Sequence, residues 1–202
     1  MTTHEKPAPA SAPIHEIISH RWSPRAFENR TVEPQTLRSL FEAARWAASA
    51  SNAQPWSFLV ATKSDAENHQ RMVDCLVPGN QTWAANAPVL AISIAHMKME
   101  NGSPNSHAWH DVGQAAANLV LQATSLGLQV HQMAGFSPEK AREHFSIPPD
   151  FEPVAALAIG YPGDPASLPQ PFRDRELAPR KRKELSSFVF TGTWGKTAAE
   201  IE

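Results

Sequence analysis

Two arginines and a hydroxyl fall within five residues at Arg21-Trp22-Ser23-Pro24-Arg25. The planar guanidinium fork meets phosphate oxygens two at a time, so Arg21, Ser23 and Arg25 make a candidate anion cradle. Far along the chain, Arg180-Lys181-Arg182-Lys183 is the densest positive tract. A balance of 18 Lys+Arg against 20 Asp+Glu, net −2, denies that tract the wide basic surroundings of a nucleic-acid patch. One small phosphate is the more economical partner for Arg180 and Arg182. Between them runs Ala48-Ser49-Ala50-Ser51-Asn52-Ala53-Gln54-Pro55-Trp56, where small hydroxyls and carboxamides offer both donors and acceptors. Such groups read the polar edge of a planar heterocycle.

Other chemistries lack their residues. Gly195-Lys196-Thr197 looks like the end of a phosphate-binding loop, but Phe190 stands where its leading glycine belongs. No G-x-G-x-x-G or G-x-S-x-G occurs, which removes a dinucleotide fingerprint and a nucleophile elbow. His107, His110 and Asp111 read as a polar helix start with an acidic residue favouring the N-terminal dipole, not as a metal site. The single cysteine, Cys75, lies among apolar residues and excludes a disulfide scaffold. The first 13 residues are polar and Pro/Ala-rich, without the apolar centre of a secretory signal, and no run approaches a membrane span. The expectation is a cytoplasmic protein without membrane or nucleic-acid partners.

The elements that would position these groups follow from periodicity. Ile14–Trp22 reads as a short helix. Pro34 opens a second, with Leu37, Leu40, Phe41 and Ala44 at helical spacing. Ser57–Thr62 is a buried-strand candidate, and Ser64-Asp65-Ala66-Glu67 a capping box for a helix to about Leu76. Pro88–Ala95 is apolar on both faces and should be central. A long helix from about Ser106 to Leu126 should stop at Gly127 and be buried on several sides. Leu128–Met133 and Val154–Gly160 read as strands, with a helix opening at Ser137 between them. From Pro162 to Glu184 the chain is Pro- and charge-rich without helix or strand signals, which suits a functional arm. Many of the 18 prolines fall in that arm and in the leading tail.

Taken in order, these segments resemble the FMN-dependent nitroreductase family. The resemblance spans Ile14 to Gly195 and rests on R-x-S-x-R-x-F at Arg21–Phe27 and S-x-x-N-x-Q-P-W at Ser49–Trp56. It continues through Asp111-Val112-Gly113, Asn118, Leu126-Gly127-Leu128, Gly135-Phe136, Ile147-Pro148, Ala158–Pro162, the R-x-R arm and Trp194-Gly195. It implies an α+β, three-layer α/β/α fold with a mixed central sheet, homodimeric, with FMN at the interface. The domain would cover 14–195, with a disordered tail at 1–13, an arm at 162–195 wrapping the partner, and a tail at 196–202.

By the same resemblance, Arg21, Trp22, Ser23 and Arg25 would hold the FMN phosphate and pyrimidine edge, with Arg180 and Arg182 returning to the phosphate. Ser49, Ala50, Ser51, Asn52 and Gln54 would meet the flavin of the partner subunit. Asn80 matches a polar contact to the ring. Gln132, Met133, Ala134 and Gly135 would pack on one ring face, with the backbone N–H of Ala134 or Gly135 toward flavin N5 and no catalytic side chain. The chain departs from the pattern at Ala48, at Ala50 in place of a second serine, and at Ala134 in place of an acidic residue. Trp83 stands where some members have a lysine, and would set an aromatic ring near the mouth of the site. The implied activity is NAD(P)H-driven, ping-pong reduction of nitroaromatic or quinone acceptors. Same-fold alternatives are aldehyde or enone reduction, dehalogenation, flavin fragmentation, and FMN binding without turnover.

Overall fold

The computed structural model describes residues 5–201, the side chain of Ile201 excepted; residues 1–4 and 202, parts of the expected terminal tails, lie outside the described residues. Its centre is a sheet of four strands: β1 Trp56–Thr62, β2 Val89–His96, β3 Gln129–Met133 and β4 Phe151–Gly160, in the order β1-β2-β4-β3. β2 and β4 are central, as the two-sided apolarity of β2 requires. Side chains alternate across the sheet: Val89, Ala91, Leu157 and Ile159 enter one core, while Leu90, Ile92, Ala156 and Ala158 enter the other. Burial of Leu- and Ile-sized groups on both faces contributes about 1.5–3 kcal/mol each, and so fixes register.

Helices close both faces, giving the expected three layers. α1 Glu16–His20 and α2 Pro34–Arg45 precede the sheet. α3 Ala66–Cys75 and α4 Pro78–Ala84 join β1 to β2, α5 Ala108–Ser125 joins β2 to β3, and α6 Pro138–Phe145 joins β3 to β4. α2 and α5 pack together over one core through Leu40, Ala44, Ala115, Leu119 and Ala123. α3, α4 and α6 cover the other with Met72, Val73, Trp83, Ala84 and Ala141. α5 ends in a Schellman cap: Gly127 has φ 77°, Gly127 N donates to Thr124 O at 3.1 Å and Leu128 N to Ala123 O at 2.9 Å.

Several expectations need correction. Among the described residues all three ladders are antiparallel, not mixed. Helix–strand alternation suggests parallel crossovers, but two short helices between β1 and β2 carry the chain out and back, so Thr62 meets Val89. β1 is an edge strand with Ser57 and Val60 exposed, not a buried one. The cap of α3 is Asp65, whose Oδ1 accepts from Asn68 N at 3.2 Å, while Ser64 is engaged with the Thr62 hydroxyl. α1 spans only five residues, because Trp22 leaves the helix to be buried beside the sheet. β4 starts at Phe151, ahead of the expected Val154. It tolerates Pro153 at the register shift opposite Ser93 and Ile94, where a missing N–H breaks no regular ladder.

The segment read as featureless holds a 3₁₀ turn at Pro165–Ser167 and α7 Gln170–Leu177. Pro171 sits in the first turn of α7, where its absent N–H is no loss. Residues 5–13 have no helix or strand, yet Ala8 N donates to Ser19 O at 2.9 Å and Lys6 Nζ to Ala178 O at 2.7 Å.

Candidate functional site

The Arg21–Phe27 segment lies between the outer end of the sheet and the arm. Buried Gln129 on β3 anchors its start, accepting from Trp22 N at 3.0 Å and donating to His20 O at 3.2 Å. Lys6 Nζ sits 5.3 Å from the centre of the Trp22 ring. Arg21 Nη1 reaches Ser23 Oγ at 3.3 Å. Burial, and then the charge of Arg182, hold the Arg21 guanidinium below its ordinary value. Burial, then Arg21 and Arg182, do the same to Arg180. Among the described residues the ion pairs engage Arg25, Arg45, Lys98 and Arg142, so none neutralises Arg21, Arg180 or Arg182. A half-buried, uncompensated cationic cluster is a receptor for an anion.

The three cations differ in availability. Arg180 directs Nη1 to Lys6 O at 2.6 Å and Ser19 O at 2.7 Å, and Nη2 to Arg21 O at 2.9 Å. It therefore ties the N-terminal segment, α1 and the cradle to the arm, and braces the main chain at Arg21. Arg182 is exposed and bonds its neighbour's carbonyl, Lys181 O, at 2.8 Å.

Arg25 is held differently. Its backbone N donates to both carboxylate oxygens of Glu176 on α7, at 2.9 and 3.0 Å, and Ala26 N donates at 3.1 Å. Its guanidinium lies 3.9 Å from Glu176 Oε2 and 5.9 Å from the Trp83 ring centre. Trp83 is 1% exposed, stacked near Phe27 and tilted 4.6 Å from the His131 ring. The expectation of an exposed aromatic at the mouth of the site is corrected: the indole is part of the core, as its position on the inward face of α4 dictates. Its Nε1 is buried without a hydrogen-bond partner. His131 Nδ1 lies 2.8 Å from Pro24 O, and burial pushes this imidazole down to about 4.

At the end of β3, Asn80 Nδ2 donates to Gly135 O at 2.9 Å, and Val77 N reaches the same oxygen at 3.1 Å. A Cβ at Gly135 would lie 2.6 Å from Asn80 Nδ2 and 2.9 Å from Val77 Cγ2, so any larger residue would have to displace the Asn80 carboxamide from Gly135 O. Among the described residues the N–H groups of Ala134 and Gly135 donate to no protein acceptor. Gln132 and Ala134 are exposed, while Met133 is buried and supports the segment from beneath.

The Ser49–Gln54 segment stands apart. Ser51, Asn52 and Gln54 have φ 52°, 55° and 47°, a concentration of left-handed backbone that non-glycine residues adopt only under constraint. The constraint is visible: Ala50 N donates to Asp111 Oδ2 at 3.0 Å, Gln54 N to Ser49 Oγ at 3.1 Å, and Gln54 Nε2 to Asn52 O at 3.1 Å. Asp111, read as a dipole-favouring residue at a helix start, is 1% exposed and pins this loop to α5. The result presents Ser51, Asn52 and Gln54 to solvent. The structure thus joins Arg21, Ser23, Arg25, Arg180 and Arg182 in one cluster, and Asn80 with Gly135 in another. It leaves the Ser49–Gln54 loop bonded to α5.

Sequence reasoning missed Glu176, His131 and Lys6. A lone Glu within Arg173-Asp174-Arg175-Glu176 carries the signal of a solvated charge run, and only burial distinguishes it. Beside the cradle, a groove of about 900 Å³ is lined by Phe27, Arg30, Pro162, Asp164 and Arg173, none of them a site residue read from the sequence.

A layered α+β fold that carries a cluster of cations and open backbone donors suits a protein that grips an anionic cofactor and leaves the chemistry to it. The model of the Nitroreductase family matches residues 18–77 and 65–161, and the chain belongs to that family. A solved structure described as an oxidoreductase containing FMN is 34% identical, covers 98% of this chain and 99% of its own, and superposes with a TM-score of 0.88. An FMN-dependent nitroreductase from Clostridium difficile R20291 is 25% identical over 73% of this chain and 87% of its own, with a TM-score of 0.64. A Streptomyces coelicolor protein, provisionally named NADH dehydrogenase/NAD(P)H nitroreductase, is 28% identical over 80% of this chain and 88% of its own. Among the described residues no helix is long and apolar enough to cross a membrane.

Proposed function

We propose that this protein passes hydride from NAD(P)H to a nitroaromatic or quinone-type acceptor in a ping-pong cycle, working as a cytoplasmic homodimer with FMN at its interface. As a member of the nitroreductase family it is an FMN-dependent oxidoreductase. The observation that carries the reading is the uncompensated cationic cluster of Arg21, Arg180 and Arg182, and the unspent N–H groups of Ala134 and Gly135 elsewhere in the fold add to it. These residues fit the cofactor. Arg21 and Arg182 would hold its phosphate, with Arg180 bracing Arg21. Arg25 would lie along the pyrimidine edge, and Ala134 or Gly135 N–H would face N5. Bound FMN supplies the two-electron chemistry, and the chain supplies position and charge.

The Ser49–Gln54 loop supports a second protomer. Its polar side chains are presented outward at the expense of backbone strain, which suits contact with the partner's flavin. Trp194 is 94% exposed and Phe188 57% exposed on an arm that suits wrapping a neighbour. FMN binding without turnover would need Trp83 and other bulky groups over the ring face, and a Trp83 buried in the core gives that reading no support.

The purified protein is expected to be yellow, and its flavin band to bleach anaerobically with NADH or NADPH. A panel of nitro, quinone, enone and aldehyde oxidants then ranks the acceptors. A colourless protein with no affinity for added FMN contradicts the reading.

A further inference from the structure

We infer that Glu176 is a positioning residue that fixes the pose of Arg25 and offsets its charge, and so lowers the reduction potential of FMN bound beside it. The inference rests on the proposed function and adds to it a residue that touches neither flavin nor substrate.

Two successive backbone N–H groups beside a guanidinium form an anion-binding concavity. Here that concavity is already filled from within. Glu176 accepts from Arg25 N and Ala26 N at 2.9–3.1 Å, and its Oε2 lies 3.9 Å from Arg25 Nη1. The carboxylate side chain is 1% exposed and that of Arg25 23%. A ligand phosphate therefore has no place at residues 25–26 and falls to Arg21 and Arg182, while the open part of Arg25 is left for the ring. The Trp83 face beneath and the Glu176 carboxylate behind allow the guanidinium little freedom.

The main chain that carries Glu176 is tied down as well. Lys6 Nζ donates to the main-chain oxygens of Glu176 and Ala178, at the C-terminal end of α7. Removing Glu176 from water raises the strength of every charge interaction it makes. A cation alone beside the pyrimidine edge would favour the electron-rich, reduced cofactor. A buried carboxylate behind that cation weakens its field, so the two-electron couple is poised lower and reduced FMN gives up hydride to an acceptor more readily. NAD(P)H supplies the hydride and the acceptor takes it, so the electron balance of the proposed cycle is unchanged.

The test measures the midpoint potential of the FMN-loaded, full-length protein by anaerobic equilibration with reference dyes. Glu176→Gln removes the charge and retains an acceptor for the N–H groups. It is expected to raise the midpoint by about 30 mV or more, a tenfold gain in the affinity ratio of reduced over oxidised FMN for a two-electron couple. Arg25→Gln should lower the midpoint, and in that background Glu176→Gln should lose most of its effect. Should Glu176→Gln fail to fold, Glu176→Asp keeps the charge, withdraws it from Arg25 and should give a smaller rise. A midpoint unmoved in the variant that folds overturns the inference, as does an undiminished shift without Arg25. A wild-type protein that binds no FMN instead overturns the proposed function, so the two failures are distinguishable.

Discussion

The two halves of the candidate site are built on opposite principles. The cradle at Arg21–Phe27 is held by groups brought from far along the chain: Gln129 on β3, Glu176 on α7, Arg180 in the arm and Lys6 near the start. Its backbone holds no left-handed residue, and most of its cost is electrostatic, in the half-buried like charges of Arg21 and Arg180. The Ser49–Gln54 loop has the reverse economy. It is exposed, uncharged and held chiefly by its own side chains and one buried carboxylate, and its cost is left-handed backbone at three non-glycine residues. A site assembled within one protomer can be braced by that protomer's charges. On the proposed function the loop would serve a neighbour, to which it has only its own shape to offer.

If that contrast holds, replacing arginines two apart in the arm should have separable effects. Arg180→Ala removes three charge-assisted bonds to main-chain oxygens and is expected to destabilise the fold by about 3 kcal/mol, because such bonds contribute about 1.5–3 kcal/mol each and add incompletely. FMN retention should fall with it as Arg21 loses its brace. Arg182→Ala should leave the denaturation midpoint where it was and weaken FMN binding alone, by about 1.5–3 kcal/mol. Equal losses of stability in both variants, measured by denaturant titration of the apoprotein, would erase the distinction between brace and ligand.

The cradle should also be sensitive to acid. His131 packs on Trp83 and lies 2.8 Å from Pro24 O, and burial, with Arg25 and Arg21 nearby, pushes its pKa down to about 4. In the unfolded chain an imidazole titrates near 6.5. Between these values the unfolded state binds more protons, so stability is full above about pH 6.5 and is lost as pH falls toward 4. The loss should be about 2 kcal/mol, discounted from the full shift for partial solvent access. His131→Gln should remove that slope. A difference between wild type and variant that stays constant from pH 7 to 4.5 would show that the imidazole does not carry the sensitivity.

Much of this architecture was legible in the sequence, and the exceptions have one cause. Helices α2, α5 and α6 and strand β2 announce themselves by local signals: a proline in the first turn, apolar period, a glycine past the end. Arg21, Ser23, Arg180 and Arg182 were legible as anion-seeking residue types, and the structure gathers them. What was hidden depends on long-range burial. Glu176 and Asp111 are ordinary carboxylates in sequence, and become organising groups only when α7 and α5 carry them inside. Trp83 misled in the other direction, since an aromatic at a family site position was placed at the mouth and folds into the core. The antiparallel sheet was masked because a returning pair of helices has the same local pattern as a crossover.

The smallest expected effect tests the loop's side of the contrast most directly. Ser51 has φ 52° with its side chain exposed, so a glycine there meets no steric penalty in the left-handed region. Ser51→Gly should release strain worth somewhat more than the added freedom of the unfolded chain, a net gain of about 0.5 kcal/mol in stability. If the loop is shaped for the neighbouring protomer's cofactor, the same change should loosen that shape and lower FMN affinity. Stability and affinity would then move in opposite directions. Should both rise together, the left-handed backbone is a local accident of turn geometry, and the loop's claim to half of the site fails.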